Sequence, residues 1–353
     1  MIDNILCSFI MNGCYGEVRR CTNNKQLFSF GDEEHLTGQW TYVVELMIIT
    51  VKSLVPAIDK SGTIVDYDRF KEELKLWIYY RHGKNDLLLK AACSENDESY
   101  WTHIDDSIYS RIVPIVAANE GWDVVINEVI KNVLFTSGNI NALLESIMLS
   151  KLLHLLFEKS NRAPEEIISH LKEEIIGLSQ KHFLAKYKEF FSLPIEKYNG
   201  NYSIDFERKR IDIINLLNGV GNKDKYYILS NCLDVINNKH IDDSESFFIN
   251  GLNSLISNTV ESNEIKDKDF IHSLCSYIIK LRKGRIAPER FVKDSFNKAS
   301  YNNVDIFSYN KGDVFVHPLL NKCIVVNRRE KNDIIRIYIN SKSGIYRFLK
   351  RKK

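Results

Sequence analysis

Proline and glycine are scarce in this chain: 353 residues contain only 6 Pro and 16 Gly. That scarcity excludes collagen-like, low-complexity and turn-dense all-β designs. No Cys-x-x-Cys pair occurs among the seven cysteines Cys7, Cys14, Cys21, Cys93, Cys232, Cys275 and Cys323, so neither a zinc ribbon nor a thioredoxin-type motif is indicated. No stretch approaches the roughly 18 uninterrupted apolar residues that span a bilayer, since Glu45 breaks Val43–Val51 and His154 breaks Leu152–Phe157. Without a signal-peptide pattern, and with an odd cysteine count, the expectation is a soluble protein of the reducing cytoplasm. A nucleophile elbow of the G-x-S-x-G type is also lacking. Gly219-Val220-Gly221 follows no strand pattern and lacks the rest of a phosphate loop, so nucleotide hydrolysis by a P-loop is not indicated.

What is present is an ordinary globular balance, 44% apolar and 27% charged residues, enough for a real core. The net charge of +2 hides an asymmetry, because residues 301–353 hold 12 Lys/Arg against 4 Asp/Glu, a local excess of +8. A basic tail on a mildly acidic body suggests separate modules.

Apolar spacing at three and four predicts helices over Ile2–Cys14, Gln39–Leu54, Asp66–Tyr80, Ser107–Ala118, Trp122–Leu134 and Asn139–Phe157. Further helices are predicted at Ala163–Ile176, Phe206–Leu217, Lys223–Ile236, Ser244–Ser257, Asp269–Lys283 and Pro288–Phe296, with a turn-rich break at Lys197–Ser203. The seven-residue spacing of Cys7, Cys14 and Cys21 puts the first two near one helix face, where free buried thiols are expected. After residue 300, short β-branched and aromatic runs at Asp313–His317, Lys322–Asn327, Asp333–Ile339 and Gly344–Leu349 predict a small meander or SH3-like barrel. The fold class is therefore mainly α, a multi-helix domain over residues 1–299 followed by a small basic β-module over 300–353.

Five stretches, in order, resemble the ADP-ribosylglycohydrolase family. Met11-Asn12-Gly13-Cys14-Tyr15-Gly16-Glu17 is similar to the family's first-helix motif, with Glu17 for its Asp. Gly38-Gln39-Trp40-Thr41-Tyr42-Val43-Val44-Glu45 stands at the place of G-x-W-T-D-D-T-E, Asp106–Pro114 at that of N-G-x-x-M-R-x-x-P, and Phe135–Asn139 at the Thr-His helix junction. Asp267-Lys268-Asp269-Phe270 stands at the D-x-D-T motif, leading through a helix to Gly284 and Ile286-Ala287-Pro288; Asn258-Thr259 is a competing placement.

The resemblance implies an all-helical fold and a site in which two Mg²⁺ ions help hydrolyse the glycosidic bond between ADP-ribose and an acceptor. Mg²⁺ requires hard oxygen ligands in near-octahedral array. On that pattern the metal ligands are Thr41, Asp267 and Asp269, the catalytic carboxylates Asp269 and Glu17, and the ligand-binding residues Ser107, Arg111, Thr136 and Ser137. The departures matter as much. Tyr42, Val43 and Val44 replace Asp, Asp and Thr, and Phe270 replaces Thr, so half the oxygen donors are gone. Glu45, one turn after Thr41, is read as a polar residue at the cleft rim or a compensating ligand. The two acids at 267 and 269 also suit a plain helix start. His35, His103 and His272 are given no metal role. The expected function is a degenerate member that binds ADP-ribose, a related nucleotide or a modified partner with little or no hydrolysis. The alternatives are an active hydrolase with an altered metal site, and a nucleic-acid or protein adaptor acting through residues 301–353.

Overall fold

The side chains of Thr41, Asp66, Asp105, Asn139 and Asn201 each accept a hydrogen bond from a backbone N–H two or three residues further on, and a helix begins behind each of them. Such caps satisfy amides that have no partner inside the first helical turn. The computed structural model describes residues 2–23, 37–58, 61–83, 97–159, 161–238, 246–257, 265–287 and 304–352. Among them are thirteen α-helices: α1 (Ile2–Asn23), α2 (Tyr42–Ser53), α3 (Tyr67–Trp77), α4 (Asp97–Thr102), α5 (Asp106–Ala118), α6 (Trp122–Thr136), α7 (Ile140–Glu158), α8 (Pro164–Gly177), α9 (Gln180–Tyr187), α10 (Tyr202–Leu217), α11 (Tyr227–Ile236), α12 (Phe247–Ser257) and α13 (Lys268–Arg282). The mainly helical expectation therefore holds. The helix expected at Pro288–Phe296 lies outside the described residues, as do Asn258-Thr259, His35 and Cys93.

Helix α7 is long and apolar enough by composition to cross a membrane, but 89% of its most apolar window is buried inside the protein. It is the axis of the core, ringed by α5, α6, α8, α10 and α11. An all-round apolar helix is stable only when neighbours cover it on every side.

Helix α1 crosses α12 at very short range. A Cβ on Gly13 would stand 2.7 Å from the Phe247 ring, and one on Gly16 would stand 2.1 Å from Asn250 Nδ2. These glycines are a steric requirement of the crossing.

Two short strands, β1 (Leu54–Pro56) and β2 (Thr63–Val65), pair antiparallel. They carry too few residues to show an alternating pattern, and the sequence reading missed them, as it missed α4 and α9. The C-terminal strands are β3 (Val314–His317), β4 (Asn321–Lys331), β5 (Ile334–Ser341) and β6 (Gly344–Arg351), in spatial order β3-β4-β5-β6, every neighbour antiparallel. This is the meander of the two expected alternatives; β3 and β6 do not pair to close a barrel. Asn332 and Asp333 both have positive φ, 50° and 60°, which makes the β4–β5 turn the kind whose twist matches the strands.

The sheet docks on the chain that follows α3. Tyr80 meets the rings of Tyr346 and Phe348 edge-on at 5.0 and 5.6 Å, Tyr79 meets Phe307 at 5.5 Å, and the Leu349 N–H donates to the Tyr79 carbonyl at 2.8 Å. Part of the module's positive charge is used internally. Arg328 donates to the Phe307 and Tyr309 carbonyls, and Lys352 and Lys350 pair with Glu330 and Asp305.

Candidate functional site

Two places collect the residues that the sequence singled out, and they differ in kind. The first is a closed polar cluster where α1, the start of α2 and the start of α5 meet. Glu17, wholly buried, accepts a hydrogen bond from the Thr41 hydroxyl, and Thr41 in turn accepts from the Val43 N–H at 3.2 Å. Arg20 stands between two carboxylates, its Nη1 lying 3.5 Å from Glu17 Oε1 and 3.4 Å from Asp106 Oδ2. Asp105 caps α5 through Ser107 and accepts from the Tyr42 hydroxyl at 3.3 Å. Burial pushes the Glu17 carboxyl up to about 8 and that of Asp106 up to about 6, with Arg20 opposing both shifts. At neutral pH the Glu17 carboxyl is therefore largely protonated.

Arg111, Thr136 and Ser137 are buried nearby with internal partners. Arg111 Nη2 donates to Thr136 Oγ1 at 2.7 Å, and Ser137 Oγ donates to the His103 carbonyl at 2.6 Å. Burial lowers the Arg111 pKa to about 10, and its Nε and Nη1 have no hydrogen-bond partner among the described residues. Ser107, Arg111, Thr136 and Ser137 all expose 1% or less of their surface. The resemblance places them along a ligand cleft; in the folded chain all four are buried core polar residues.

The second place is a pocket of about 420 Å³ between the start of α2, the start of α13 and the β5–β6 hairpin. Gln39, Trp40 and Glu45 enter it from the second stretch of the resemblance, Asp267 and Phe270 from the fifth, and Lys266 from the residue just before it. The sheet contributes Tyr338, Tyr346 and Arg347, and the segment after α3 contributes Tyr80 and His82. Two anchors hold these pieces in register: the Lys266 N–H donates to the Gly38 carbonyl at 3.0 Å, and Lys266 Nζ donates to Gln39 Oε1 at 3.0 Å. Asp267 sits in the left-handed region at φ 52°, with burial raising its carboxyl pKa, and burial lowers the Lys266 ammonium pKa.

Glu45 forms the polar floor of this pocket. Its Oε2 accepts from Trp77 Nε1 at 2.8 Å and the His82 N–H at 3.2 Å, while its Oε1 lies 2.6 Å from His82 Nδ1. A carboxylate at Nδ1 holds a ring proton at that nitrogen and fixes the orientation of the ring. The other ring nitrogen, Nε2, is buried and has no hydrogen-bond partner among the described residues.

Asp269 does not join either place. It is exposed on the first turn of α13, two residues beyond Asp267. The expected ligand set of Thr41, Asp267 and Asp269 is thus divided three ways, and among the described residues no group of three or more His, Cys, Asp or Glu is arranged to hold a metal ion. The residues present do not fit Mg²⁺: the cation between Glu17 and Asp106 is Arg20, and the Thr41 oxygen already serves Glu17 and Val43.

His82, Lys266 and Arg347 were missed as site residues by the sequence reading. The one signal available was Glu45, an acid inside the apolar run Val43–Val51; its partner His82 lies 37 residues away in a loop, where periodicity carries no information. No protein-family model matches the chain, and no curated protein matches it significantly.

Proposed function

We propose that this protein is an ADP-ribosylglycohydrolase-like binding protein that takes ADP-ribose or a related nucleotide with little or no hydrolysis. The observation that supports the reading is convergence: the stretches resembling the family's two metal motifs, Gly38–Glu45 and Asp267–Phe270, meet in one pocket although some 220 residues separate them. Trp40, Tyr80 and Tyr346 offer flat faces for a base, and Lys266 and Arg347 offer cations for phosphates. Pockets of this size, mostly apolar with a few convergent polar groups, are the usual form of a small-molecule site. Little hydrolysis is expected because the metal-holding acids are missing at Tyr42 and Val43 and dispersed at Asp267 and Asp269.

A calorimetric titration of ADP-ribose, first with Mg²⁺ and then with EDTA, tests the proposal. Binding is expected in both buffers and should weaken about tenfold in Lys266→Gln, on the scale of one lost charged hydrogen bond. Binding only with Mg²⁺, or turnover of an ADP-ribosylated protein, would move the altered-site hydrolase ahead. No binding in either buffer would refute the nucleotide reading.

A further inference from the structure

On the far side of α13 lies a cysteine pair that plays no part in the nucleotide pocket. The Cys7 sulfur, on α1, stands 3.0 Å from His272 Nδ1, and the Cys275 thiol, one helical turn beyond His272, lies against the same sulfur. Of the two thiols expected on a buried face of α1, Cys14 is buried and Cys7 only partly so; Cys21 is buried as well. Cys7 opens onto a surface basin of about 360 Å³ whose rim includes Lys280 and Arg285. The hydrogen bond from Cys275, with His272 and Lys268 adding their pull, lowers the Cys7 pKa despite its partial burial, and the Cys275 pKa rises correspondingly. Thiolates, not thiols, are the reactive form, and an electropositive, partly open surrounding with a second thiol in contact distinguishes a reactive cysteine from an inert one.

We infer that Cys7 and Cys275 form a redox site in which the Cys7 thiolate attacks small hydroperoxides and Cys275 resolves the product to a disulfide. In the first step the Cys7 thiolate attacks one peroxide oxygen. The S–O bond forms, the O–O bond breaks, and hydroxide leaves and takes up a proton to become water. In the second step the Cys275 sulfur attacks the Cys7 sulfenic acid. The S–S bond forms, the S–O bond breaks, and a second water leaves with the Cys275 proton. Overall two thiols and one hydrogen peroxide give one disulfide and two waters. His272 touches Cys7 and stabilises its anion; it is a positioning residue and does not itself react. The bond would fasten α1, which carries Glu17, to α13, which begins just after Asp267.

The full chain is treated with one equivalent of hydrogen peroxide and digested without reductant, and peptides are weighed. The expected product is a Cys7–Cys275 cross-linked peptide, two hydrogens lighter than its parts. In Cys275→Ser the expected product is a sulfenic acid at Cys7 that dimedone traps. In His272→Gln, an exposed position that should not disturb folding, Cys7 oxidation is expected to slow about tenfold, in line with a smaller thiolate fraction. The inference is overturned if Cys7 reacts no faster than the thiols of the urea-unfolded chain, or if Cys7 stays reduced while other cysteines oxidise. It is equally overturned if His272→Gln leaves the Cys7 rate unchanged. None of these outcomes depends on nucleotide binding.

Discussion

His82 Nδ1 lies 2.6 Å from Glu45 Oε1, and the carboxylate that holds this ring also takes the His82 N–H and the Trp77 indole. One acid thereby fixes α2, the end of α3 and the segment after α3 on which the sheet docks. Replacing Glu45 with Ala should leave Trp77 Nε1 and the His82 amide buried without an acceptor. An unpaired buried donor costs about 1–3 kcal/mol, so the loss should be roughly 2–4 kcal/mol in urea unfolding. His82→Asn should be milder for stability yet weaken any nucleotide that uses Nε2.

Glu17 gives a pH signature whose sign is fixed by its raised pKa. The folded group holds its proton up to about 8, whereas an ordinary glutamate in the unfolded chain releases it near 4.5. Between those values the native state binds more protons than the unfolded state, so stability falls as pH rises. Thermal melts from pH 5 to 8 should show wild type losing stability relative to Glu17→Gln, by an amount on the order of a few kcal/mol. Parallel curves for the two proteins would show that Glu17 is ionised throughout.

Among the described residues Arg111 is buried with a single hydrogen-bonding contact, to Thr136, and the Phe70 ring 5.9 Å away. A desolvated guanidinium so poorly partnered should stabilise little. Arg111→Met is expected to be neutral or stabilising, within the roughly 1–4 kcal/mol seen when buried charges give way to apolar side chains. A clear loss of stability in guanidinium unfolding would count against that assignment.

Gly16→Ala puts a methyl group into the side chain of Asn250, 2.1 Å from its Nδ2. Asn250 Oδ1 also accepts from Arg19 at 3.0 Å, and its Nδ2 donates to the Ser246 carbonyl at 2.8 Å, so it is not free to swing aside. Overpacking of this kind costs about 1–3 kcal/mol, and the midpoint of chemical unfolding should fall accordingly.

Much of the fold was legible from the sequence by itself because its determinants are local. Apolar spacing marked α2, α3, α5, α6 and α7 within a few residues, since a buried helical face repeats at three and four whatever it packs against. The Ser137-Gly138-Asn139 start of α7 carries its own capping signal, because a short polar side chain there can accept from an amide of the first turn. The β-branched runs after residue 310 likewise marked four strands through neighbouring residues alone, while the folded chain decided between meander and barrel. Boundaries drifted where tertiary packing extended an element. Helix α1 runs to Asn23, well past the expected Cys14, because α12 covers its second half.

The site was a different matter. Motif order suggested that Thr41, Asp267 and Asp269 would meet, but side-chain direction on a helix changes by about 100° per residue, and Asp269 turns outward while Asp267 turns in. Whether Ser107, Arg111, Thr136 and Ser137 face a cleft or a core depends on which helices lie over them, and no local pattern records that. Only the folded chain decided that Glu45 finds His82, that Arg20 takes the place between Glu17 and Asp106, and that Cys7 meets His272 and Cys275. Each pairing joins residues brought together by long-range packing, or chosen among neighbours by the direction that packing gives their side chains.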